Sequence, residues 1–148
     1  GTAFLYQGDE IGQHDAPPGE SLFDRAGRDR FRHPMQWDAS PSGGFTTGEP
    51  WLPAVDPAER SVEAQRDDPQ STLSLVRELI ALRRELGDGF ELLEAADGVV
   101  AYRRGEHVVA VNTTAEPLPV PIRGEPRLET VQGGLRDGTL LAHCGAIR

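Results

Sequence analysis

The stretch Gly27–Asp38, GRDRFRHPMQWD, crowds Arg28, Arg30, Arg32, His33 and Trp37 around Pro34. An arginine fork stays charged and can grip hydroxyls or a carboxylate with several donors at once. A tryptophan ring offers a broad apolar face on which a ligand can stack. Such a cluster is equipped to hold a ligand rather than to break its bonds. Carboxylates that could act as acid or base occur at Asp9, Glu10, Asp15 and Asp29. The adjacent Asp9 and Glu10 follow Gly8 and read as a turn and rim pair that organises a loop. His14, His107 and His143 are scattered without ligand spacing, His33 stands alone and Cys144 is the lone cysteine, so neither a metal nor a cofactor is expected.

Composition narrows the partners. With 148 residues, 37% apolar and 26% charged, the chain is of the globular class. Its net charge of −9 would repel nucleic acid and anionic membrane surfaces, and a neutral ligand is more compatible. No apolar run reaches the roughly 18 residues of a membrane span, and no signal peptide is recognisable. One cysteine permits no intrachain disulfide, and on that ground the cytoplasm is the expected compartment. The opening GTAFLYQGDEIG lacks an initiating methionine, Met35 being the only one, which fits a segment of a longer polypeptide.

Positioning these residues requires four kinds of segment. Ala3–Gln7 is a short apolar run with the pattern of a fully buried strand, and its neighbours are expected outside this chain. From Gly8 to about Asp68 the chain is rich in Gly, Pro, Asp and Ser, a connection long enough to be functional. Asp68 as N-cap, Pro69 at the first helical position and Leu73, Val76, Leu79, Ile80 and Leu86 predict a helix that stops at Gly87. Beyond it the apolar period becomes two. The runs FELLEA, GVVAYRR, HVVAVNTT, PLPVPIR, RLETV and TLLAHCGAI are separated by turns such as Asp97-Gly98, Arg104-Gly105-Glu106 and Asp137-Gly138, and predict antiparallel strands. Pro117, Pro119 and Pro121 suit an edge strand. The boundary falls near residue 88.

That order is what an α+β fragment would show: the last strand and helix of a (β/α)8 barrel followed by a small antiparallel C-terminal β-sandwich domain. Domains are accordingly expected at residues 1–88, the C-terminal end of a catalytic barrel, and 89–148, all β. The motifs GTAFLYQGDEIG, GRDRFRHPMQWD, GFTTGEPWLPAVDP and RELIALRREL, in that order, resemble the closing section of the α-glucosidases and oligo-1,6-glucosidases of the α-amylase superfamily, glycoside hydrolase family thirteen. The likeness is strong over residues 1 to about 86 and weak over the tail. Ala3 stands where the family usually has Pro, Asp9 where it has Glu, and His33 where it has Thr.

The resemblance implies a retaining hydrolase acting on an α-linked gluco-oligosaccharide. Its nucleophile, acid and transition-state-stabilising carboxylates would come from earlier barrel strands, in a missing N-terminal portion of the same protein, so no catalytic residue is assigned here. Arg28 matches the arginine at the family's terminal-glucose pocket and is the substrate-binding candidate. Asp29, Arg32 and Trp37 are read as bracing or loop-anchoring residues, and Trp51 likewise as a packed anchor. By itself the chain is expected to be inactive. The tail, whose only aromatic after residue 90 is Tyr102, is expected to cover barrel surface rather than bind polysaccharide. The alternative is a non-catalytic binding or structural β-rich module from an inactive relative.

Overall fold

The computed structural model describes residues 2–17 and 24–148, so the part of the long connection at residues 18–23 lies outside the described residues. The chain divides into two compact units, residues 1–78 and 79–148.

The first unit has little regular structure. It contains 3-10 turns at Asp9–Ile11 and Asp29–Phe31 and a four-residue helix α1, Val62–Gln65, which the sequence reading did not anticipate. Ile11, Met35 and Leu73 form its apolar core, with Val62 packed against them. Irregular backbone cannot satisfy its own buried N–H and C=O groups by a ladder, so side chains must do it. Gln65 donates through Nε2 to the Ile11 carbonyl at 2.8 Å and accepts the Leu73 N–H through Oε1 at 3.1 Å. Arg60 Nη1 donates to the Gly12 carbonyl at 2.9 Å. The bonds to the Ile11 and Gly12 carbonyls join segments some fifty residues apart and take the place of a sheet.

The buried strand expected over residues 3–7 is corrected. No strand forms there, and Phe4 is 90% exposed, with Leu5 and Tyr6 also exposed. The physical reason is pairing: no neighbouring strand meets this segment among the described residues, and the Tyr6 N–H goes instead to the Asp9 carboxylate at 2.9 Å.

Helix α2 spans Thr72–Arg83, and the division between units falls within it. Its start also differs from expectation. Ser71, not Asp68, takes the cap position: its hydroxyl accepts the Ser74 N–H at 3.2 Å and donates toward the Asp68 and Gln65 carbonyls. Asp68 closes a turn ahead of the helix by accepting the Gln70 N–H at 2.8 Å. The helix ends at Arg83, short of Leu86, and turns carry the chain on, with Glu85 N–H donating to the Leu82 carbonyl at 2.9 Å.

The second unit is antiparallel throughout. Its strands are β1 Glu91–Leu92, β2 Val99–Arg104, β3 His107–Asn112, β4 Leu118–Pro119, β5 Leu128–Glu129, β6 Leu135–Arg136, β7 Thr139–Leu140 and β8 Gly145–Ile147. One sheet runs β1-β2-β3-β8-β5 and the other β4-β7-β6. Every apolar run expected to be a strand contains one, and the last is broken into β7 and β8. β4 stands at an edge, as its prolines require. The β6–β7 hairpin turns on Asp137 and Gly138, both at positive φ (50° and 75°), the conformation a two-residue type I′ loop demands. Ala101, Ala110, Val120, Ile122, Leu140, Cys144 and Ala146 meet in one core to which both sheets contribute.

Asn112 sits at the end of β3, 1% exposed. Its Nδ2 donates to the carbonyls of Glu116, Leu140 and Leu141 at 2.8, 3.2 and 3.1 Å, and its Oδ1 accepts the Thr114 N–H and hydroxyl at 2.9 and 2.8 Å. One carboxamide thus holds the β3–β4 loop against β7.

Candidate functional site

The arginine-rich stretch is built on a turn. The Asp24 carboxylate accepts the Asp29 N–H at 2.6 Å and the Ala26 N–H at 3.3 Å. Backbone N–H groups, that of Asp29 first and that of Arg28 next, hold the Asp24 carboxyl below its ordinary range. The 3-10 turn Asp29–Phe31 follows at once, so Arg28 occupies its N-cap position with an exposed side chain. Among the described residues no carboxylate lies within ion-pair reach of the Arg28 guanidinium.

Asp29 Oδ1 lies 4.0 Å from Arg32 Nη1, while Asp29 Oδ2 is buried without a hydrogen-bond partner among the described residues. The geometry therefore pairs Asp29 with Arg32, loosely. Arg30 stacks its guanidinium 4.9 Å from the Phe31 ring centroid.

Beyond Arg32 the chain turns inward. His33 is 7% exposed and Gln36 0%. His33 Nδ1 lies 2.6 Å from the Pro53 carbonyl, which can only accept, so Nδ1 is the donor in this bond. Gln36 accepts the N–H groups of Val55 and Asp56 through Oε1 at 2.9 and 3.2 Å. Its Nε2 donates to the Arg60 carbonyl at 2.7 Å and to Asp56 Oδ1 at 3.3 Å. Asp56 Oδ2 in turn meets Arg60 Nε at 3.1 Å and His14 Nδ1 at 2.9 Å. Trp37 N donates to the Gly43 carbonyl at 2.6 Å and the Trp37 carbonyl accepts the Glu63 N–H at 3.0 Å, yet its ring stays half exposed. The backbone of PMQW is thus fixed on the inside while Arg28, Arg32 and Trp37 keep exposed side chains.

Among the described residues, two recesses on this unit bear on the site. One, of about 60 Å³, is lined by polar groups including Asp9, Gln13, His14, Arg30 and His33. The other, of about 160 Å³, brings Arg32 together with Gln7, Pro34, Phe45, Trp51 and Leu52. Trp51 is 78% exposed, which corrects its reading as a packed anchor. Arg32 and Trp51 are brought to one recess; Arg28 and Trp37 are not part of it. Reading the sequence missed this pairing and the Gln36 hub. A glutamine between Met35 and Trp37 was a signal for the second, since a polar residue buried among apolar neighbours must be satisfied.

Asp9 and Glu10 are occupied structurally. Asp9 accepts the Tyr6 N–H and Glu10 accepts the Gly8 N–H at 2.8 Å. Gly8 has φ 95°, and an added Cβ would come within 2.8 Å of Gln13 Oε1, so this turn needs glycine. Among the described residues no group of three or more His, Cys, Asp or Glu could hold a metal ion, and no helix is long and apolar enough to cross a membrane.

The arrangement can bind polar ligand groups and stack against a ring. The sequence pattern of the alpha-amylase catalytic domain matches residues 1–89. Glucan 1,6-alpha-glucosidase of Streptococcus pneumoniae serotype 4 is 32% identical over 162 residues, covering 84% of this chain and 30% of that protein. Among solved structures, the alpha-glucosyl transfer enzyme XgtA superposes with a TM-score of 0.72 at 32% identity, over 97% of this chain and 32% of that one. Trehalose-6-phosphate hydrolase of Bacillus licheniformis gives 0.75 at 23% identity, over 99% and 35%, a likeness of fold. The chain spans about 30% of the length of the first curated relatives it matches.

Proposed function

Because this chain belongs to the α-amylase family, glycoside hydrolase family thirteen, we propose that it is the C-terminal portion of a retaining α-glucosidase-type hydrolase. Its substrate is an α-linked gluco-oligosaccharide. Residues 1–88 complete the catalytic barrel, and residues 89–148 form a β-sandwich domain with a structural rather than a polysaccharide-binding role. Cys144, buried and unpaired, stays reduced in the cytoplasm.

In a retaining mechanism one carboxylate attacks the anomeric carbon while a second carboxyl group, roughly 5 Å away, protonates the leaving oxygen; water then hydrolyses the glycosyl intermediate. We assign those carboxyl groups to the N-terminal barrel portion of the same protein. This chain supplies substrate holding. The Arg28 fork donates to hydroxyls of the terminal glucose, Asp29 and Arg32 brace the loop, and Trp37 anchors it.

The observation that carries this reading is the state of Arg28: exposed, free of ion pairs among the described residues, and mounted on a turn fixed by Asp24. An arginine used only as a structural tie would be consumed by one. The test is Arg28→Ala in the complete protein. Loss of hydrogen bonds to a charged donor is worth about 1.5–3 kcal/mol, so kcat/KM on small α-glucosides falls about 10- to 150-fold with folding intact. Unchanged kinetics would remove Arg28 from the pocket. A complete protein that binds isomaltose without cleaving it would select the non-catalytic relative instead.

A further inference from the structure

The second unit carries a concentration of positive charge that sugar hydrolysis does not use. All 15 cationic side chains of this acidic chain are arginines, and Arg103, Arg123, Arg127 and Arg148 line one groove of about 460 Å³. Register explains how they gather. Arg103 on β2 lies opposite Val108 on β3, and Val108 exchanges both N–H···O bonds with Arg148, at 2.8 and 3.0 Å. Directly opposed residues project from the same face, so Arg103 and Arg148 flank Val108 in one row, about 10 Å apart across two strand spacings. Val108 packs against the shared core, which places this row at the core's end. Arg127 enters from the segment leading into β5 and Arg123 from the loop after β4.

Existing partners leave most of this donor capacity unused. Arg103 Nε lies 3.4 Å from Glu91 and Arg127 Nη2 lies 2.7 Å from Glu85, each pair about half exposed and using one of five guanidinium donors. Arg123 Nη1 donates to the carbonyls of Val120 and Ile122. Arg148 forms no ion pair among the described residues. One acidic side chain, that of Glu106, also lines the groove. Like charges converging on one concavity repel unless an anion sits between them, and planar guanidinium forks match a tetrahedral oxyanion bidentately.

We propose that this groove binds a phosphate group, with Arg103 and Arg148 as its principal donors and Arg123 and Arg127 completing the cradle. Either inorganic phosphate or a phosphomonoester would supply that chemistry.

The test is isothermal titration of the full chain with inorganic phosphate and, separately, with glucose 1-phosphate, in buffer containing chloride at physiological strength. Saturable one-to-one binding is expected, weakened about tenfold or more by Arg148→Gln and by Arg103→Gln, while Arg84→Gln, in the turn just after the helix and outside the groove, changes nothing. Tighter binding of glucose 1-phosphate than of phosphate would identify the ester as the source, and the reverse order the free ion. No saturable binding of either probe, or equal weakening by Arg84→Gln, would overturn the proposal.

Discussion

The carboxamide of Gln36 grips Asp56 at both ends: Oε1 accepts the Asp56 N–H at 3.2 Å and Nε2 donates to the Asp56 carboxylate at 3.3 Å. With the Val55 N–H and the Arg60 carbonyl it ties the PMQW segment to residues 55–60, and so sets the backbone from which Trp37 and the arginine-rich turn project.

Replacing Gln36 by leucine keeps the volume and removes every one of these bonds. Buried N–H and C=O groups are then left unmet at about 1–3 kcal/mol each, and relaxation recovers part of that. A loss of about 2–4 kcal/mol is expected, measured by urea unfolding of the complete protein. A change below about 0.5 kcal/mol would mean the segment is held by something else.

Asn112→Leu should cost a similar amount, about 2–4 kcal/mol, because the Leu140 carbonyl and the Thr114 N–H lose their Asn112 partner together and the Leu141 carbonyl keeps only the Cys144 N–H. Hydrogen exchange at Thr114 should accelerate in the same variant. If exchange there is unaltered, the carboxamide is not what holds that loop.

Asp24 gives a pH dependence with a definite sign. Its folded pKa is depressed, first by the Asp29 N–H and then by that of Arg28. The ionised form therefore favours the ordered turn: its contribution is complete above the ordinary value of 3.8 and drains away as pH falls through the lower folded value. The Asp29 amide resonance, followed by NMR from pH 6 down to 2, should titrate with a midpoint below 3.8 and lose that transition in Asp24→Asn. A midpoint above 3.8 would reverse the sign.

Local signals made the C-terminal strands legible. Alternating runs such as VVAYRR and HVVAVN, and turns at Arg104-Gly105-Glu106 and Asp137-Gly138, carry their conformation within a few residues. The helix was legible as an element but not at its ends, because Asp68-Pro69 and Ser71 offer competing starts, and the later one is held by the Leu73 N–H to Gln65 bond and by Leu73 packing on Ile11 and Met35. What holds the first unit together was hidden. Gln36 meets partners about 20 residues away and Gln65 a partner 54 residues away, and no local pattern announces such a pair. Ala3–Gln7 has the composition of a buried strand, but a strand is a property of two segments, and no second one pairs with it among the described residues.

The division of labour is tested most directly by incubating the purified 148-residue chain with isomaltose and with maltose and following glucose release. The expected result is no release above the enzyme-free control from this chain, against turnover by the complete protein. Glucose liberated by the chain unaided would contradict the assignment of the bond-breaking carboxyl groups to another part of the protein.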